Sequence, residues 1–222
     1  MKLPLNRILR VAKRKVFGEK ETPAAVTEAS GDIPDLIRLS DATGPILFGS
    51  PVILCGAMIK GKPNFNTLGN FGIVSLGKPH PIIYISSNSE HYTNIGIHEH
   101  GEFSIGIPNQ EIVSRLDYCG VVSGHKKDKS GVFKVHFGVL RNAPVITECP
   151  ISFTCRVTNH TVVGQMDVFF GEIHEKYALA SLMNGERPDP EKIKPLTFGP
   201  GSTYRVVDAQ VGIPWSEYRK VY

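Results

Sequence analysis

The run PNFNTLGNFGIVSLGKPHPIIYISSNSEHYTNIGIHEHGEFSIGIP, Pro63 to Pro108, decides how the rest of the chain is read. It opens with a polar, Asn- and Gly-rich stretch, NFNTLGN (Asn64–Asn70), which reads as a turn. A Pro-bounded apolar run, PIIYIS, reads as a strand. The corner SSNSEHYTN (Ser86–Asn94) then opens a short helix candidate, and FSIGIP closes the unit as a second strand. Two polar turns separated by buried strands suit a ligand with a phosphate at one end and a planar heterocycle at the other. Amides, hydroxyls and a close-lying glycine backbone answer the edge of a heterocycle. A helix start with hydroxyls answers a phosphate. Each turn has a plainer reading as well, the first as an Asn/Gly turn and the second as a capping corner.

Outward from this stretch the texture stays β-rich. PILFGSPVILCGAMI, from Pro45, reads as two strands or one bent strand, and VFKVHFGVL (132–140) alternates with period 2 as a half-buried strand. ISFTCRVTN and VVGQMDVFFGEIHE read as further strands. Asn109 is placed to cap a helix over QEIVSRLDYCG that ends at Gly120. EKYALASLMNG reads as a short helix ending at Gly185, and PEKIKPLTFGPGSTYRVVD as a loop with a strand-like end. Strands without βαβ alternation predict an all-β protein with short helices, an antiparallel barrel rather than a doubly wound sheet. The dinucleotide-binding and P-loop glycine patterns are both missing.

The 222 residues fit one domain with an extension. Residues 1–31 read as a basic helical extension and linker, and residues 32–222 as the folded domain, starting with a short helix over 32–43. Residues 1–18 hold six basic residues and no acid, while the remainder carries 19 basic against 21 acidic. The body is therefore near neutral, which argues against nucleic acid as a partner. The basic helix of residues 1–18 is read as a packing arm in preference to a membrane anchor. With no signal-peptide pattern and no long apolar run, a cytoplasmic protein is expected.

Four spaced blocks carry a specific resemblance. They are Asn64, Thr67 and Phe71; then Pro81, Ile83, Ile85, Ser86, His91, Thr93, Asn94 and Ile95; then GEFSIGIP (Gly101–Pro108); then DYCGVVSGHKKDK (Asp117–Lys129). A closing segment, KPLTFGPGSTYR (Lys194–Arg205), follows. In this order and spacing the chain resembles the flavin reductase-like family, and most its flavoredoxin branch. The resemblance implies an FMN-binding split barrel of Greek-key type, usually a homodimer with FMN near the subunit interface. It implies that Asn66, Thr67, Leu68, Gly69 and Asn70 lie along the isoalloxazine, and that Ser86, Ser87, His91 and Thr93 surround the phosphate. It also implies that Cys119–Gly120 and Ser123–Gly124 approach the flavin.

The ligand inferred is thus FMN, and the function that of a flavoprotein oxidoreductase in which the flavin, not a side chain, carries the chemistry. The alternative is an FMN-binding carrier or ligand-binding module without its own NAD(P)H activity. One departure bears on the electron donor. Many family members carry Gly-Asp-His ahead of Gly-Glu-Val; here the run is GQMDVFFGEI (Gly164–Ile173), with Met166 and Asp167 in place of an Asp-His pair. An electron-transfer protein is then as credible a donor as NAD(P)H. The cysteines Cys55, Cys119, Cys149 and Cys155 form no C-x-x-C pair and read as packed thiols. His98-Glu99-His100 reads as solvated surface, because side chains two apart on a helix diverge, and no metal is assigned.

Overall fold

The structure is a computed structural model and describes residues 49–199, 201–207 and 210. The expected elements in residues 1–31 and 32–43 lie outside the described residues.

The first strands are β1 (Ser50–Pro51), β2 (Ile53–Ile59), β3 (Lys62–Leu68), β4 (Phe71–Ser75) and β5 (Ile82–Asn88). Helix α1 (Tyr92–His100), β6 (Glu102–Ile107) and helix α2 (Val113–Val121) follow. Then come β7 (Val135–His136), β8 (Val145–Ile146) and two long strands, β9 (Ile151–Val163) and β10 (Met166–Ala178). The chain continues through β11 (Met183–Asn184), β12 (Arg187–Pro188), the one-turn helix α3 (Pro190–Ile193), β13 (Leu196–Gly199) and β14 (Thr203–Val206).

Seven strands form one antiparallel sheet in the order β3-β2-β6-β9-β10-β5-β4. Its terminal strands, β3 and β4, are consecutive in the chain, with only Gly69 and Asn70 between them. Two residues span roughly 10 Å, so the two edges must lie close together and the sheet must curl. The backbone of Ser86 in β5 donates to the Asn70 carbonyl at 2.9 Å, which carries the β4–β5 ladder into this connection. Register shifts between β9 and β10, at Phe170/Gly171 and Ile173/Glu175, help the curl. The expected all-β antiparallel barrel is what the chain forms.

Strand β2 shows why its sequence is apolar throughout. Ile53, Cys55 and Ala57 join the cluster inside the curl, with Ile83, Ile85, Phe103, Ile105 and Phe169. Val52 and Leu54 face a second cluster outside it, with Phe65, Leu116, Cys119, Phe133 and Leu196. Helix α1 packs on β2 through Gly96: a Cβ there would lie 2.3 Å from the Met58 carbonyl oxygen.

Several local expectations change. Asn64–Leu68 is not a turn but most of β3; Asn64 and Asn66 take strand positions because their amides find buried partners. The helix expected over 175–185 is absent: Glu175–Ala178 continue β10, paired with Ile151–Thr154. Sheet pairing there overrides the helix preference of Ala, Leu, Glu and Lys. A single 3₁₀ turn, Ala180–Leu182, follows. The strand expected over 132–140 shrinks to β7, since only β8 offers an edge to pair with. Asn109 does cap a helical segment, accepting from the Glu111 amide at 3.1 Å, although its first turn is 3₁₀. Helix α2 runs past Gly120 to Val121, closed by an extended Val122.

Candidate functional site

Strands have a side-chain period of two, so each inward row continues that of the barrel interior. Three such rows turn polar at their ends. Leu68 of β3 is followed, two residues apart, by Asn66 and Asn64. Ile83 and Ile85 of β5 are followed by Ser87. Phe169 of β10 is preceded by Asp167, the register partner of Ser87. All four polar residues are buried, as are Thr93 and Asn94 of α1.

These groups are bonded to one another. Asn64 Nδ2 donates to Thr93 Oγ1 at 2.7 Å, and Asn66 Nδ2 lies 2.8 Å from His91 Nδ1. Ser87 Oγ lies 2.9 Å from the same ring nitrogen. With the Asn66 amide so oriented, Nδ1 accepts and the neutral ring carries its proton on Nε2. Burial, aided by the charge of Lys129, holds His91 below its ordinary value of 6.5, so the ring is neutral at pH 7. His91 is also the N-cap of α1, with no side-chain cap bond and no acid in the first turn. The first turn of α1 thus carries no acid of its own to meet its amides.

Among the described residues, Lys129 is the buried cation of this assembly. It is 3% exposed, and its ammonium donates to the Cys119 carbonyl at 3.1 Å. Desolvation lowers its pKa. From there an open crevice of about 340 Å³ extends along Lys60, Lys62, Asn64, Tyr92, Gly124 and Lys126–Lys129. That volume is within the range of small-molecule clefts. Among the described residues, the one carboxylate lining it, Asp128, is held by Lys62 at 2.7 Å. Gly124 permits the close approach of the loop: a Cβ would lie 2.4 Å from the Tyr92 ring and 2.7 Å from Asn64 Oδ1.

The structure therefore brings together Asn66, Ser87, His91 and Thr93 of the expected site, and adds Asn64 and Lys129. The others are placed differently. Thr67 points to the opposite face of β3 and donates to the Leu116 carbonyl. Leu68 lies in the barrel core. Gly69 and Asn70 form the seam between β3 and β4, with the Phe198 ring against Gly69. Ser86 donates through its backbone to Asn70 and, one residue along β5, faces away from Ser87. Ser123, exposed, accepts from the His125 amide at 3.2 Å. The Cys119 thiol lies in the outer apolar cluster, where burial pushes its pKa up to about 11 and keeps it protonated. Lys129 carried a weak sequence signal as the final residue of the fourth block, inside a run of charges that reads as solvated loop.

The donor set fits a phosphate ester: amides, hydroxyls, an Nε2–H, an ammonium and a helix start, with no free carboxylate among them. A family model described as "Flavin reductase like domain" matches residues 46–204. Among solved structures, the chain is similar to flavoredoxin from Methanosarcina acetivorans, at 34% identity and a TM-score of 0.79, over 85% of this chain and 100% of that one. It is similar to flavoredoxin of Desulfovibrio vulgaris (Miyazaki F) at 26% identity and a TM-score of 0.72, over 81% and 98%. An uncharacterized protein of Archaeoglobus fulgidus is 28% identical over 114 residues, 50% of this chain. That match spans 63% of the relative, less than two thirds of its length.

Proposed function

The chain belongs to the flavin reductase-like family, and from that membership we propose that it is an oxidoreductase that binds FMN noncovalently. The observation that carries this reading is Lys129, buried beside a neutral His91 at the start of α1. A buried ammonium needs an anionic partner to offset its desolvation, and among the described residues it meets only a carbonyl. The phosphate of FMN is that partner in this reading, held by Lys129, Thr93, Ser87 and the Nε2–H of His91. Asn64 and Asn66 orient Thr93 and His91 for it. Bound FMN would supply hydride or one-electron transfer at its N5. The barrel contributes a dry, rigid wall, and no side chain of the site is placed to act as general acid or base. Titration of the purified protein with FMN, FAD and riboflavin, followed by flavin fluorescence and absorbance, tests it. A 1:1 complex with FMN, tighter than with riboflavin, is expected; no spectral change with any flavin refutes it.

A second reading concerns the electron donor. The run Gly164–Ile173 lacks the Asp-His pair, and Asp167 within it is engaged by Asn94, His98 and His160. This supports a carrier reduced by an electron-transfer protein rather than by NAD(P)H. Anaerobic stopped-flow bleaching of the flavin complex by NADH and by NADPH separates the two. A homodimer belongs to the same proposal, supported by exposed Ile73, Val74 and Leu76 on and beside the edge strand β4. Light scattering of wild type and Leu76→Asp tests it. No helix among the described residues is long and apolar enough to cross a membrane.

A further inference from the structure

His98, His160 and Asp167 come from three different elements, α1, β9 and β10, and meet at the end of the β9–β10 hairpin. His98 Nε2 lies 3.3 Å from Asp167 Oδ2, and His160 Nε2 lies 3.0 Å from Asp167 Oδ1. One ligand atom from each falls within 4.8 Å of the other two. We infer that these residues form a binding site for a divalent transition cation of the zinc class, separate from the flavin cradle.

Tetrahedral bonds of about 2.0–2.2 Å to nitrogen and oxygen ligands imply ligand-to-ligand edges of about 3.3–3.6 Å. The two imidazole nitrogens approach different oxygens of the carboxylate, His98 Nε2 at 3.3 Å from Oδ2 and His160 Nε2 at 3.0 Å from Oδ1, so all three groups stand around the same carboxylate. Closure on one cation takes rotation of the imidazoles, the more exposed partners: the His98 and His160 side chains are 47% and 31% exposed, against 7% for Asp167. The carboxylate is thus the fixed anchor and the imidazoles the adjustable ligands. Asn94 Nδ2 donates to Asp167 Oδ2 at 3.0 Å, the outer contact that orients a ligating carboxylate. The Phe169 ring packs against both imidazoles, with centroids at 5.0 Å from His98 and 4.8 Å from His160, and limits where they swing. Two imidazoles and one carboxylate leave positions for water and select the zinc class over Mg²⁺ or Ca²⁺, which take oxygen ligands. His98 and His100 do diverge, as adjacent-but-one helix residues must. The site arises because His98 and Asn94, four residues apart on α1, share the face turned to Asp167.

Calorimetric titration of the full chain with Zn²⁺, and thermal unfolding with and without it, test the site. One equivalent of Zn²⁺ is expected to bind and raise Tm, with no shift from Mg²⁺. His98→Gln and His160→Gln should each weaken Zn²⁺ binding by about tenfold or more, and His100→Gln should leave it unchanged. Circular dichroism and FMN titration of the same variants check that they fold. Absence of stoichiometric Zn²⁺ binding, or unaltered affinity in both folded His98 and His160 variants, overturns the proposal, whatever the outcome with FMN.

Discussion

Lys129 reaches back ten residues to place its ammonium 3.1 Å from the carbonyl of Cys119, near the end of α2, inside a buried pocket. The same ammonium lies close enough to His91 to depress its pKa. One loop lysine therefore ties α2 to the start of α1 and provides the charge of the candidate site.

Replacing that charge should separate the phosphate from the ring of a flavin. Lys129→Met keeps the length of the side chain and removes its charge. FMN affinity is expected to fall by about tenfold or more, the scale of a lost charged hydrogen bond, while riboflavin affinity changes little. The unpaired Cys119 carbonyl should cost about 1–3 kcal/mol in urea unfolding. Equal loss for both flavins would place Lys129 outside the phosphate site.

His91 gives the pH dependence a sign. Its folded pKa is below its ordinary 6.5, so between the two values the unfolded chain binds a proton that the native protein does not. Stability from this group is full above about pH 6.5 and is lost as pH falls through the folded pKa. Denaturant unfolding across pH 5 to 8 should show this decline in wild type and a shallower one in His91→Gln. Parallel curves would assign the decline to other groups.

Thr93→Val preserves shape and deletes the hydroxyl that accepts from Asn64 Nδ2. The amide is then buried without that partner, at an expected cost of about 1–3 kcal/mol. FMN binding should weaken as well, because the hydroxyl is one of the cradle's groups. Chemical unfolding and flavin titration on one preparation measure both.

Gly96→Ala tests the seat of α1. The added methyl would sit 2.3 Å from the Met58 carbonyl and 2.9 Å from Ile59 Cγ1, so helix or strand must shift. A destabilisation of about 1–3 kcal/mol is expected, despite alanine's higher helix propensity. A raised Tm would mean that α1 does not rest on β2 at this point.

The strand-rich class was legible in local sequence patterns, and the family resemblance named four residues that the fold gathers into the candidate site, Asn66, Ser87, His91 and Thr93. Runs such as Ile82–Ser86 and Glu102–Ile107 are apolar, short and punctuated, and hydrogen-bonding period and turn chemistry are local properties. The corner Ser86–Asn94 is legible in part: its first three residues end β5 and its last three begin α1, with the turn between them. The polar run from Asn64 was not, because asparagine favours turns unless its amide is satisfied, and its partners Thr93 and His91 lie 29 and 25 residues away. Residues 175–178 were misread because helix propensity is local while the edge of Ile151–Thr154 that captures them is not. Lys129 looks like any member of a charged loop until the fold closes over it. His98, His160 and Asp167 are separated by 62 and 7 residues, and no spacing rule joins them. Which side chains meet depends on how a curled sheet aligns its rows, and that alignment is set by long-range packing.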